Sequence, residues 1–231
     1  MNGPETVRAR LRAKADPGYR EFQSALMPTV PPERVLGVRQ PDVRALAKEL
    51  SGTQTGEEFL QALPHYYYEE QNLHGALIER MAEPDLWEAL DRFLPTVDNW
   101  ATCDMLHPPL FKKRPPQLLG KVRVWLTSGD LYTVRFAVGV LMRDYLGEGF
   151  EPWMPEAVAA LPEEEYYLNM MAAWYCATAL SVRPKEILPY FTGAGRLRPE
   201  VRHAALQKAV ESRRFTPEEK EQLKELRETL R

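Results

Sequence analysis

Two tryptophans, one aspartate and one arginine are the side chains of this sequence best suited to chemistry. Trp100 and Asp104 lie in VDNWATCD, Val97 to Asp104. If that stretch is helical, residues four apart share one face, one turn above the other. Arg135 lies in LYTVRFAVGVL and Trp174 in YYLNMMAAWYCA, each within a long apolar helical pattern. A carboxylate can stabilise a developing cation or hold a water. An indole face attracts a cation by roughly 0.5–2 kcal/mol. A guanidinium grips a phosphate through two parallel N–H donors. Carried on separate helices, the four side chains are expected to converge on one cleft. The plainer alternative makes Asp104 and Arg135 a structural ion pair between repeats and the tryptophans core or groove wall.

Positive charge gathers around these positions. No acidic residue occurs from Met105 to Gly129, where Lys112, Lys113, Arg114, Lys121 and Arg123 stand. From Arg196 to Arg214 the bias returns, with Arg196, Arg198, Arg202, Lys208, Arg213 and Arg214 against Glu200 and Glu211. The stretch between, Glu148 to Glu165, is acidic. Either basic run alone could be a solvated helix face. Two runs flanking the Trp/Asp/Arg positions favour a groove that follows phosphates, although the net charge is only −3.

The elements that must position these residues are helices. Periodicity predicts Glu5 to Lys14, Tyr19 to Met27, Asp42 to Leu50 with Pro41 in its first turn, and a helix opened by Thr55 with Glu58 as its capping-box partner. Glu69 to Met81 follows, with apolar Leu73, Ala76, Leu77 and Met81, and then a helix begun by Pro84 in which Trp87 reads as core. After VDNWATCD come Gln117 to Leu126, Leu131 to Leu146, Pro155 to Leu161, Glu163 to Ser181, Pro184 to Phe191 and Pro199 to Ser212. The last, Thr216 to Leu230, has Thr216 as cap, Pro217 in the first turn and Glu219 at the box position. No period-2 run or hairpin turn interrupts them, so the protein is expected to be all-α. Helices of about 10–18 residues broken by proline fit stacked pairs. HEAT-like repeats of about 40–47 residues would make residues 1–231 one α-solenoid domain with a concave surface.

At 231 residues the chain can bury a full core, and its 27% charged and 44% apolar residues are ordinary for a soluble protein. No apolar run nears the roughly 18 residues of a membrane span, and MNGPETVRAR lacks a signal-peptide block. Cys103 and Cys176 have no metal-ligand spacing and read as buried free thiols, which suits a reducing cytoplasm. His65, His74, His107 and His203 form no metal motif, and nucleotide-binding glycine patterns are absent. The run Tyr66 to Tyr68 reads as loop packing.

Five fragments in order, GVRQPDVRALAK, VDNWATCD, YTVRFAV, YYLNMMAAW and ALQKAVESRR, resemble the DNA alkylation repair enzymes, the AlkD-like HEAT-repeat DNA glycosylases. The resemblance runs from Gly37 to the C-terminus. It implies excision of cationic alkylpurines, such as 3-methyladenine and 7-methylguanine, from double-stranded DNA by a monomer needing neither metal nor organic cofactor. By position it makes Asp104 the catalytic carboxylate, Trp100 and Trp174 the aromatic walls and Arg135 the helix-borne arginine. The chain departs from the pattern at Asn99, where active members carry a second tryptophan, and at Met170–Met171, where a basic residue is found.

The chemistry agrees with those roles. Cleaving an N-glycosidic bond builds positive charge on the sugar. An alkylated, already cationic purine leaves as a neutral base, so the protein must supply negative charge near C1′ and a placed water. Two other readings remain: a catalytically silent HEAT-like binder of distorted or branched DNA, and a protein–protein scaffold whose basic runs are merely solvated.

Overall fold

Prolines and glycines cut the chain into short amphipathic pieces. In the computed structural model, which describes residues 2–162, 165–192 and 196–230, these pieces are helices and no strand occurs among the described residues. The α-helices are α1 (Gly3–Arg12), α2 (Pro17–Leu26), α3 (Gln40–Leu50), α4 (Gln54–Gln61), α5 (Tyr68–Ile78), α6 (Asp85–Phe93), α7 (Trp100–Met105), α8 (Pro116–Leu126), α9 (Leu131–Val140), α10 (Trp153–Ala159), α11 (Tyr166–Val182), α12 (Pro184–Ile187), α13 (Pro199–Glu211) and α14 (Pro217–Thr229). They group into two units, Met1–Pro109 and Leu110–Arg231.

In the first unit α1 packs on α4, α3 on α5, and α5 on α6 and α7. Val7, Leu11, Val43, Leu46, Phe59, Leu73 and Leu77 form its core, each large side chain worth about 1.5–3 kcal/mol of burial. Helix α5 is buried along its whole length, polar residues included. The Glu69 carboxylate accepts backbone N–H groups from Leu36 (2.9 Å), Gly37 (2.7 Å) and Val38 (3.2 Å). Gly37 has φ +87° and a Cβ there would lie 2.3 Å from the Asp16 carbonyl oxygen, so only glycine fits this turn. Burial pushes the Glu69 carboxyl above its usual range, and the three donors pull it back. Glu70 accepts from Tyr67 N and from Arg8 Nε at 2.8 Å.

In the second unit α8 packs on α9, α9 on α11, α11 on α13 and α13 on α14. Contacts join helices one or two apart in sequence, the packing logic of helical repeats. Helix α9 is buried from Tyr132 to Val140, and burial pushes the Cys176 thiol of α11 up to about 12.

Several boundaries differ from the sequence expectation for local reasons. Thr53, not Thr55, caps α4, its side chain accepting from Gly56 N, and Glu58 instead accepts the Gly3 N–H at 2.7 Å. Val97 to Asn99 are not helical, because Asn99 is the extended N-cap of α7. The expected helix Leu131 to Leu146 is α-helical only to Val140 and closes in a π-helical turn, Leu141–Tyr145. Residues Glu163 and Glu164, placed at a helix start by the sequence, lie outside the described residues. The Thr216–Glu219 box, Pro41 in the first turn of α3 and buried Trp87 are as expected. Both cysteines are free and buried.

A histidine pair closes the first unit's core. Nε2 of His65 and Nδ1 of His74 share a hydrogen bond of 2.8 Å, with His65 stacked on Phe59 and His74 on Phe93. Burial lowers the His65 pKa to about 4, against a small upward pull from Glu70. Burial, aided by His65 and Arg92, lowers that of His74 well below the ordinary value. A base whose folded pKa is depressed contributes full stability above its unfolded pKa near 6.5 and loses it as pH falls below that value. Moving from pH 7 to pH 5 should therefore cost about 2 kcal/mol at His65 in urea unfolding, and His74 should add a loss of the same sign. His74→Phe should shrink the total difference, and an unchanged difference would refute the account.

Candidate functional site

Helix α7 is only six residues long and could not stand alone. A buried polar network holds it. Asn99, fully buried, accepts the Thr102 N–H through Oδ1 at 2.8 Å and donates through Nδ2 to Gln71 Oε1 at 2.9 Å and Asp98 Oδ1 at 3.3 Å. Gln71 Nε2 also donates to Asp98 Oδ1 at 3.0 Å, and the other Asp98 oxygen pairs with Arg34 at 2.6 Å. One turn on, Thr102 donates to Asn72 Oδ1 at 2.8 Å. Helix α7 is thus fastened to the buried face of α5 at both Asn99 and Thr102.

This fastening fixes Trp100 and Asp104. Trp100 packs against the cluster of Met27, Val30, Val35, Tyr68 and Ala101, yet stays half-buried, with part of the ring open to solvent. Asp104, also half-buried, is the penultimate residue of α7.

Arg135 and Trp174 belong to the second unit. Arg135 is 5% exposed, and its Nη1 donates to the Tyr167 carbonyl at 2.5 Å, tying α9 to the first turn of α11. Trp174 is 45% exposed on the opposite kind of ground, an open face of α11. With Ala177, Thr178, Lys208, Glu211, Ser212 and Arg214 it lines a groove of about 290 Å³. Small side chains, an indole, two cations and one carboxylate make up the lining.

The expected basic residues fall into two groups. Arg114 pairs with Glu148 and donates to the Asp144 carbonyl; Arg196 pairs with Glu156 at 2.6 Å; Arg198 donates to Asn169 Oδ1 and lies 3.7 Å from Glu200. Arg202 donates to the Leu230 carbonyl, and Lys121 is half-buried on α8. By contrast Lys112 and Lys113, exposed at the end of the 3-10 turn Pro109–Lys113, have no carboxylate partner among the described residues. Lys208 and Arg214, which line the groove, and exposed Arg213 likewise have no carboxylate partner among the described residues. An unneutralised cation is the kind that releases counterions on meeting a phosphate. No cluster that could hold a metal ion occurs among the described residues.

Sequence reasoning missed Asn99, Gln71 and Asp98. The signal for Asn99 was present, since asparagine is among the strongest N-cap residues. Gln71 and Asp98 had none, because a polar side chain in an amphipathic pattern reads as solvated.

The model of one protein family, described as DNA alkylation repair enzyme, matches residues 7–169. Trp100, Asp104 and Arg135 fall inside the match, and Trp174 with the basic stretch from Arg196 lies beyond it. No curated protein matches the chain.

Removing the Asn99 side chain should cost the cap, about 1 kcal/mol, and leave the buried Gln71 oxygen without its donor, a further 1–3 kcal/mol. Asn99→Ala is expected to lower urea-unfolding stability by about 2–4 kcal/mol. Asn99→Asp keeps the capping oxygen but sets a second acceptor against Gln71 Oε1 and Asp98 Oδ1 at a fully buried position, so it should recover none of the loss. A change below about 1 kcal/mol in Asn99→Ala would show that the network does not hold α7.

Proposed function

The chain belongs to the DNA alkylation repair enzyme family, and on that premise we propose that it is a DNA glycosylase that hydrolyses the N-glycosidic bond of cationic alkylpurines, 3-methyladenine and 7-methylguanine, in duplex DNA. The observation that carries this reading is Asp104: a half-buried carboxylate on a short, rigidly fastened helix, one turn from a half-buried tryptophan.

The reaction breaks the C1′–N bond as the purine takes the bonding pair and leaves neutral. The sugar passes through an oxocarbenium-like state. Asp104 stabilises that charge and orients the water whose oxygen bonds C1′, accepting the proton the water sheds. Trp100 and Trp174 present indole faces to the cationic sugar and base. Arg135, anchored on the Tyr167 carbonyl, is the arginine assigned to the backbone phosphate beside the lesion. Lys112, Lys113, Lys208, Arg213 and Arg214 supply the sequence-independent grip on the duplex, with no organic cofactor required by the scheme.

One observation favours a second reading, a catalytically silent binder of distorted or branched DNA. Asn99 is sealed in a hydrogen-bond network where active relatives carry an aromatic, so the site has one wall fewer.

Release of free base from duplex DNA carrying 7-methylguanine separates the two. Wild type should release it, and Asp104→Asn should be slower by roughly 10²–10³-fold, the usual cost of a lost transition-state electrostatic partner. Equal rates would refute the role of Asp104. No release by wild type, with DNA binding intact, would establish the silent reading.

Binding itself has a signature. Lys208→Ala, Arg213→Ala and Arg214→Ala should each flatten the slope of log affinity against log salt by up to about 0.9. Arg196→Ala, which removes a cation already matched by Glu156, should change it less. Absence of any salt-dependent affinity would leave only the scaffold reading.

A further inference from the structure

The first unit holds a cavity of about 390 Å³ that includes no residue of α7. It opens between α4, α5 and α6, and its volume lies in the range of small-molecule sites. Leu60, Leu77 and Met81 give it apolar walls, and Glu57, Asp85 and Glu88 stand at its rim. None of these three carboxylates has a cation within ion-pair distance among the described residues. Arg92, the one positive side chain lining the cavity, is turned to the neutral Gln61 Oε1 at 2.7 Å.

The second observation is buried. His74 is 2% exposed and lines the cavity, whereas its partner His65 does not. Nδ1 of His74 is taken by His65, so the ring nitrogen left for the cavity is Nε2. Both rings stay neutral, because burial holds their pKa values below the ordinary range. Two neutral imidazoles share one proton in the bond between them, and its position sets the character of Nε2. When His74 Nδ1–H donates to His65 Nε2, His74 Nε2 is an acceptor.

We infer that this cavity binds a small organic cation with an apolar body, an aryl- or alkyl-ammonium or an amidinium. The apolar part lies against Leu60, Leu77 and Met81, an N–H donates to His74 Nε2, and the carboxylate rim holds the charge. The ligand's donor selects the acceptor tautomer of His74. An anion would meet three carboxylates, and a neutral apolar molecule would leave the ring nitrogen unmatched. This site is separate from the DNA reading and stands or falls without it.

The test uses the full chain and benzylammonium as probe, with benzyl alcohol as its neutral counterpart. Titration at pH 7.5 should shift the His74 ring signals and the amides of Leu77 and Ala89 saturably in NMR spectra. Benzyl alcohol should bind about tenfold more weakly or worse, and so should benzylammonium to a Glu57→Gln/Glu88→Gln variant. Both substitutions are at exposed positions, so the variant keeps its fold. His74→Phe, which preserves the stack on Phe93, should abolish the response. No saturable shift, equal binding of the alcohol, or an unchanged affinity in the double variant would each overturn the proposal.

Discussion

The first unit depends on a helix that had to be buried with its polar side chains attached. Placing Glu69, Glu70, Gln71, Asn72 and His74 out of water would cost several kcal/mol if they found no partners. Each finds at least one. Glu69 gathers the backbone of Leu36 to Val38, Glu70 takes Arg8, Gln71 and Asn72 take the start of α7, and His74 takes His65. These bonds are directional where apolar packing is not, so they specify one arrangement of loop, helix and cap instead of a family of similar ones. The position of Asp104 is inherited from α5 in this way.

The surface shows complementary economy of a different kind. Many arginines are matched: Arg8, Arg10, Arg34, Arg39, Arg44, Arg123 and Arg196 each meet a carboxylate. Exposed pairs of this sort add little to stability. Their effect is on the field, because they cancel locally and leave the unmatched charges to set the potential. Around the Trp174 groove two unmatched cations, Lys208 and Arg214, face one carboxylate, Glu211, and around the His74 cavity three unmatched carboxylates face Arg92. A net charge of −3 conceals both.

Helical class was readable from periodicity and proline spacing, and the cap at Thr216 from three residues. Trp87 as core and two buried thiols were also legible, since apolar stripes and unmotivated cysteines have one common physical cause. The interior of α5 was not. Glu69 to Asn72 precede an apolar stripe and look like a solvated first turn; partners about thirty or more residues away, in the Leu36 to Val38 loop, at Arg8 and at the start of α7, explain their burial. Val97 to Asn99 precede the helix that carries Asp104, because Asn99 is its cap, and a polar residue inside a short polar stretch does not mark that boundary by itself. The basic runs were located correctly as sequence, but which cations are neutralised depends on partners such as Glu148 and Glu156 that only tertiary structure brings near.

The two cysteines carry one last consequence. Cys103 sits in α7 and Cys176 in α11, one sealed thiol in each unit. An alkylating reagent that meets only thiolates will pass over the folded chain and mark each sulfur when its own unit opens. The protein therefore carries two internal clocks of local opening. A cysteine introduced anywhere on its surface would be the sole site of labelling while both clocks remain silent.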